Sequence, residues 1–565
     1  MSGDKKGFNR RDFMTGTAVL GASVLTPTPV ERLAEVLTRG LISRAQAESI
    51  GIEGPRNYLN ILMFGAPLRY CFDHWMRTKA SDPALEFNPM VATKMVSSGG
   101  RVVGTENATF NYNGTLVPHM FSHSVYNGKG AQRPLTDLLN HMLVIRGFGT
   151  GFDGHAFNVI AQQSPVGGIA TLSGVAADMS KKTFEAVQWP DRGSVSSYTS
   201  MNGKALNKLA GATPLKSLLE GFGSPQQGLV MGRNVKDRNR AAYDLAQARL
   251  KAYARSNYAG AKNLSLNMTN AVDLMKKGTN NIDSFWPAAV ARYKSVIELS
   301  MRQSGLAGIS DVPMISAQNE LWKVHVAAGN RGLIVGANSD FRDAIKTMAA
   351  IDHLAEGLAM AEYVFRENLV TSLEISTGEL SGLNILEQNV AQFVSHVGIK
   401  DMHETGAITG LLITAAYFRG LSAGILELMD QLKGIQTSTG TAWSDTVVQV
   451  ISDFNRSARI SGGGSDHGYN QMVTSVYTGA FDKGPYVVGN IHLSGHGGGY
   501  AGTQGIAAPI SGYTQKRMPN PTMAASTVTA LLRVNKNPFE NLAAPLVRLE
   551  NGRLVLASEA SIVRG

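Results

Sequence analysis

Val447 to Gly468 reads VVQVISDFNRSARISGGGSDHG. Its first five residues, Val447 to Ile451, are apolar except for Gln449, and a polar loop follows at once. An apolar run of that length, bounded by turn residues, suits a strand buried on both faces of a parallel sheet. The loop then delivers Asp453, the glycines Gly462 to Gly464, and the pair Asp466-His467. In open α/β sheets ligands gather beyond the carboxyl ends of strands, so chemistry is expected here.

The same pattern recurs along the chain. Tyr58 to Phe64 (YLNILMF) ends in Gly65-Ala66-Pro67, and His141 to Ile145 (HMLVI) leads into the glycines Gly147 to Gly151. Gly332 to Gly336 and Met472 to Tyr477 read as further strands. Helical patterning covers Asn239 to Ala254, Ile351 to Phe365, and Ile413 to Leu432, the last stopped by Lys433-Gly434. Buried strands alternating with helices predict an α/β fold, a three-layer α/β/α sandwich with a mostly parallel central sheet and loop-rich insertions. Residues 190–235, rich in Gly, Ser and Lys, read as loops or a small insertion. Near the end, Asn551-Gly552 sits between two apolar stretches, Leu546 to Leu549 and Leu554 to Leu556, which is a strong hairpin signal.

Composition narrows the class. The 565 residues carry 53 Lys+Arg against 43 Asp+Glu, a net charge of +10, with 43% apolar and 17% charged residues. Disorder would need the opposite balance. Cys71 is the only cysteine, so a disulfide scaffold is excluded. The 61 glycines exceed the roughly 40 expected from an average near 7%. There is no apolar run long enough for a membrane span. The basic residues are spread out and not interleaved with aromatics, so no nucleic-acid partner is expected. Length alone suggests about four domains at roughly 150 residues each. The patterns instead divide the chain into an address region (1–47), one large α/β unit (48–535) and a hairpin tail (536–565).

The address is read from Asn9-Arg10-Arg11-Asp12-Phe13-Met14 followed by the weakly apolar Met14 to Leu25. That layout matches a bacterial twin-arginine export signal, which implies the Tat translocase as a partner and a periplasmic or secreted location. The twin-arginine route carries folded proteins. A metal could therefore be inserted before export, and a chain without disulfides is no contradiction.

Three segments could carry chemistry. Asp401-Met402-His403 offers a carboxylate and an imidazole two residues apart, a normal half-site for zinc, manganese or iron. Asp453 follows a strand, where the bland alternative is a helix cap. Asp466 and His467 leave a glycine-rich loop. His496-Gly497-Gly498-Gly499 resembles the oxyanion loop of some esterases, but that reading needs a serine on a strand-to-helix elbow and is set aside. Cys71, between Tyr70 and Phe72, reads as a buried thiol.

The chain resembles a bacterial twin-arginine-exported family known only as a domain of unknown function (number fifteen hundred and one), itself similar to the alkaline phosphatase and sulfatase superfamily. The resemblance rests on the export signal, Leu59 to Pro67, Leu138 to His155, Asp401-Met402-His403 and, most specifically, Val447 to Gly468. It implies an alkaline-phosphatase-like fold and a binuclear site for a divalent metal, with zinc as the candidate. Asp401 and His403 would sit on one ion, Asp453 on the other, and His467 would close the cluster. Asp466 would be a ligand or stand behind one. The implied activity is hydrolysis of a phosphate or sulfate ester, on a small molecule or a polymer. The chain also departs from the pattern. After the first strand the usual Ser-His pair is replaced by Leu68-Arg69, and Cys71 falls near the first aspartate's place, so that either Asp73 is the substitute ligand or that ligand is lost. Where the superfamily keeps its nucleophile, this chain shows no clear one: Thr150 and Ser164 are nearby outside any motif, and His155 and Thr150 are the catalytic candidates. The alternative expectation is therefore a non-catalytic exported binding or surface protein on the same fold.

Overall fold

The computed structural model describes residues 54–78, 94–98, 101–106, 108–167, 169–180, 182, 184–190, 197–209, 284–301, 349–379, 407–458, 465–492, 506–508, 519–534 and 537–556. Eight strands form the central sheet. They are β1 (Asn57–Phe64), β2 (Met142–Phe148), β3 (Phe184–Trp189), β4 (Leu206–Lys208), β5 (Val370–Glu379), β6 (Thr446–Ser452), β7 (Met472–Thr478) and β8 (Tyr486–Val488). Their spatial order is β4-β3-β5-β1-β6-β7-β2-β8. Only β7 runs antiparallel to its neighbours, so the other seven strands point the same way. The carboxyl ends of β1, β6 and β2 thus share one edge with the start of β7.

Side chains alternate across this sheet, as period-two backbone geometry requires. Leu59, Ile61 and Met63 of β1 enter one apolar cluster with Met142 and Val144 of β2 and Val448 and Val450 of β6. Tyr58, Leu143, Ile145 and Val447 enter a second cluster on the opposite face. Because both faces are covered, β1, β2 and β6 carry no polar-out register and read as largely apolar runs. The first face is covered by α3 (Ala349–Arg366), α4 (Ala407–Lys433) and a helix over 284–301. The second carries α2 (Leu172–Asp178) and α5 (Pro521–Leu531). The short α1 (His155–Gln163) adds Val159 to Leu62 and Ile451 below it. Among the described residues no helix is long and apolar enough to cross a membrane.

Four sheet strands were not legible in the pattern: β3, β4, β5 and β8. The central strand β5 has the sequence VTSLEISTGE, and its Ser372, Glu374, Ser376 and Thr377 are all buried. Polar residues at a buried position conceal a strand from any apolar-run criterion. The structure tolerates Glu374 because Ser173 donates to one oxygen and Gln188 Nε2 to the other at 2.7 Å. Within 190–235, read as loop, β4 supplies an edge strand paired to β3. The expected strand at Gly332 to Gly336 and helix at Asn239 to Ala254 lie outside the described residues. So do the export signal and the His496-Gly499 loop.

Gly420-Leu421-Ser422-Ala423-Gly424 has the spacing of an esterase elbow, but it lies inside α4 with Ser422 fully buried. It supplies no strand-to-helix turn. At the other end of the chain, Val547–Glu550 pairs antiparallel with Arg553–Leu556. Asn551 and Gly552 between them take positive φ (50° and 75°), as a two-residue type I′ turn demands. Leu546, Val547 and Leu554 bury this hairpin in the second cluster beside α5.

Candidate functional site

The site begins where β1 ends. The chain turns there through Gly65 (φ 97°) and Ala66 (φ 49°). A left-handed alanine costs roughly 1–2 kcal/mol, so something must hold the turn. Asp453 does, from the first position after β6. Its Oδ2 accepts from the Gly65 amide at 3.1 Å, and its Oδ1 accepts from the Ala66 amide at 2.7 Å. The Phe454 amide adds a contact to Oδ1 at 3.2 Å. The carboxylate has no solvent exposure. Parallel register places Met63 beside Ser452, so the two strand ends meet level.

The fourth partner of Asp453 comes from a third strand. After β2, the loop Gly149 to Gly154 leads into α1, whose first residue is His155. His155 Nδ1 lies 2.6 Å from Asp453 Oδ2. A carboxylate only accepts, so Nδ1 carries the proton, and in the neutral ring the lone pair is on Nε2. Next to it stands a second pair of the same kind, in which His467 Nδ1 lies 2.5 Å from Asp153 Oδ1. The two imidazole rings are 5.3 Å apart, edge to face. Phe454 joins them: it stacks on His467 at 3.9 Å and 7°, and meets the edge of His155 at 4.6 Å. The Arg456 guanidinium carbon sits 5.4 Å from the centre of the same Phe454 ring, and its Nε donates to the Ala66 carbonyl at 3.3 Å. His467 can approach this closely because Gly468 follows it. A Cβ at 468 would lie 1.6 Å from the Asn455 carbonyl oxygen.

Beneath this edge lies a buried ion pair. Arg69 Nε donates to Asp73 Oδ1 at 3.0 Å, and its Nη2 donates to Asp73 Oδ2, with both side chains fully buried. Ser475 of β7 also donates to Asp73 Oδ2, at 2.5 Å. Arg69 Nη1 donates to the Val473 carbonyl at 3.0 Å. Arg146 lies nearby, donating to the carbonyls of Gly489 and His74 at 3.2 Å each. Burial, then Arg146, then Arg69, hold the His74 imidazole well below its ordinary value. Cys71 is buried; burial and then Asp73 push its thiol up, out of the reactive range.

Asp453, His155 and His467, three of the residues expected from sequence, are thus brought together. The partners of the two carboxylates are as follows. Both oxygens of Asp453 are occupied by N–H donors, so it stands behind His155 rather than facing an ion. Asp73 likewise is the counter-ion of Arg69, not an open carboxylate. The Thr150 hydroxyl donates to Asn158 Oδ1 and lies 3.3 Å from the Tyr469 carbonyl, which ties it into the α1 loop. Asp466 sits in the short strand Ser465–Asp466, opposite Ser457. Asp401 and His403 lie outside the described residues. Sequence reading overlooked Asp153, although Asp153-Gly154-His155 carries the same residue types as Asp466-His467.

The donor set suits a divalent metal in part. Metal-ligating histidines characteristically donate their second ring N–H to a carboxylate, which fixes the tautomer and raises ligand basicity. His155 and His467 both have that arrangement. Among the described residues, however, no group of three or more His, Cys, Asp or Glu side chains is arranged to hold an ion. Comparison with protein-family profiles, with characterised proteins and with solved structures gave no match to this chain.

Proposed function

We propose that the chain is an exported hydrolase of phosphate or sulfate esters, with an alkaline-phosphatase-like architecture and a site centred on His155 and His467. The supporting observation is the doubled carboxylate–histidine arrangement at the carboxyl edge of the sheet: Asp453–His155 at 2.6 Å and Asp153–His467 at 2.5 Å. A structural role alone gives no reason for two imidazoles to be oriented by carboxylates within 5.3 Å of each other. A divalent metal such as zinc would be held by Nε2 of His155 and His467, while the family resemblance adds Asp401 and His403 as ligands of one ion of a binuclear site; the metal would polarise the ester and acidify a bound water. Asp453 keeps His155 in the tautomer with its lone pair on Nε2, and Asp153 does the same for His467. The buried turn Gly65-Ala66 fixes Asp453 in place. Export through the twin-arginine route belongs to the same proposal.

A second reading is favoured by the Arg69–Asp73 pair and by the engaged Thr150 hydroxyl. Both occupy places where the superfamily keeps a ligand and a nucleophile. On that reading the protein binds an anionic ester without turning it over. Metal content of the purified chain, measured together with turnover of an aryl phosphate and an aryl sulfate, separates the two. Stoichiometric metal and an activity lost by about 100-fold or more in His155→Ala and in His467→Ala are expected for the hydrolase. Absence of both metal and turnover refutes it.

A further inference from the structure

Among the described residues the exposed large apolar side chains are Phe152, Phe157, Met201 and Leu542. Two of these four stand on the loop and first helical turn that carry the site. Phe152 precedes Asp153, and Phe157 follows His155 by two residues. Phe152 is 49% exposed and Phe157 63%. Their rings stack with centroids 6.1 Å apart and an interplanar angle of 29°. Phe157 is positioned rather than dangling: its Cδ2 would meet a Cβ on Gly154 at 3.0 Å, so its ring rests along the glycine backbone. A single exposed phenylalanine needs no explanation, but a paired aromatic surface beside a polar site does.

We propose that Phe152 and Phe157 form a platform for the ring of a sugar whose phosphate or sulfate ester is presented to His155 and His467. Two observations carry this. The two rings offer a broad π surface, to which the C–H face of a pyranose adheres while its hydroxyls remain in water. Asp153 follows Phe152 in the chain, contacts His467 Nδ1 at 2.5 Å and keeps its side chain 60% exposed, so it can supply an acceptor for a hydroxyl at the ring edge. An alkyl or aryl group has no use for that acceptor.

The proposal rests on the hydrolase reading only for the anionic head. The test uses the full chain and three phosphonates, whose P–C bond is not hydrolysed: methylphosphonate, benzylphosphonate and a glucosylmethylphosphonate, with the matching sulfonates run alongside. Binding is measured by calorimetry on wild type and on Phe152→Ala, Phe157→Ala and the double variant. Both side chains are largely exposed, so these variants are expected to fold and to keep any bound metal. The sugar compound should bind more tightly than the methyl and benzyl compounds. Each alanine should weaken it by about 3- to 10-fold while leaving methylphosphonate unchanged. An unchanged sugar-to-methyl ratio in the double variant overturns the platform, and so does tighter binding of the benzyl compound. Failure of the hydrolase reading has a different signature: metal and turnover are absent in wild type, whatever the phenylalanines do.

Discussion

Replacing Asp453 by Asn tests the organisation of the site most directly, because the change keeps shape and removes only charge and one acceptor. Oδ1 accepts from the Ala66 and Phe454 amides, while Oδ2 accepts from the Gly65 amide and from His155 Nδ1. Asparagine has a single oxygen and can satisfy only one of these sets. With its oxygen at the Oδ2 place, its NH₂ would confront two backbone amides that cannot turn away. The better orientation puts the oxygen at Oδ1 and the NH₂ toward Gly65 and His155. One buried amide then loses its acceptor, at about 1–3 kcal/mol, and the charge-assisted bond to His155 becomes a neutral one, at about 1 kcal/mol more. The expected loss of stability is therefore about 2–4 kcal/mol. His155 must also change: facing an NH₂, Nδ1 has to accept, and the proton moves to Nε2. That removes the Nε2 lone pair needed for a ligand or a base, so any hydrolytic activity should fall by about 10²- to 10⁴-fold. Urea unfolding measures the first quantity, and the ¹⁵N shifts of the His155 ring report the second. A variant that loses less than about 0.5 kcal/mol and keeps the Nδ1–H tautomer would refute the reasoning.

Three further outcomes are expected. Asp73→Ala should destabilise the chain by about 3–5 kcal/mol, because it strands the Arg69 cation in the interior. The apolar pair Arg69→Met with Asp73→Leu should recover most of that loss in a denaturant double-mutant cycle, and full additivity of the single changes would count against a coupled pair. For pH, the His74 imidazole is held below its ordinary 6.5 by burial and by Arg146 and Arg69. Below about 6.5 the unfolded chain then binds a proton that the folded one refuses, so stability is fully present above that pH and declines beneath it, by up to about 1.4 kcal/mol per unit. His74→Asn should flatten the acid limb of the urea midpoint, and an unchanged slope would exclude His74 as its source. Cys71, buried with its thiol donating to the Leu68 carbonyl at 3.4 Å, should resist thiol reagents in the native state and react stoichiometrically once unfolded. Fast native labelling would contradict the packing of 69–76.

How much was legible follows from what each residue has to do. Strands β1, β6 and β7 and the cores of α3 and α4 announce themselves, because burial on both faces or on one stripe forces an apolar run or a 3.6-residue period. β5 does not, since its polar residues are satisfied by Ser173 and Gln188 from other elements. A polar residue can stand in a core when a distant donor exists, and sequence order does not reveal that donor. The same limit governs the site. Asp453, His155 and His467 stood out by residue type and by their places after strands or in a glycine-rich loop.

The sequence by itself determined that the chain is α/β, and it singled out Asp453, Asp466 and His467 in the segment that follows one of its strands. It did not determine which carboxylate serves which histidine. Asp453 acquires its role from Gly65, Ala66 and His155, which lie 388, 387 and 298 residues away along the chain. Only parallel pairing of β1 with β6, and of β2 through the antiparallel β7, brings those groups to one edge. The tertiary structure therefore decided that Asp453 and Asp73 are held by N–H donors and a guanidinium instead of facing outward as open ligands. The physical reason is that a buried carboxylate must be paired, and its partners are fixed by sheet order rather than by sequence neighbours.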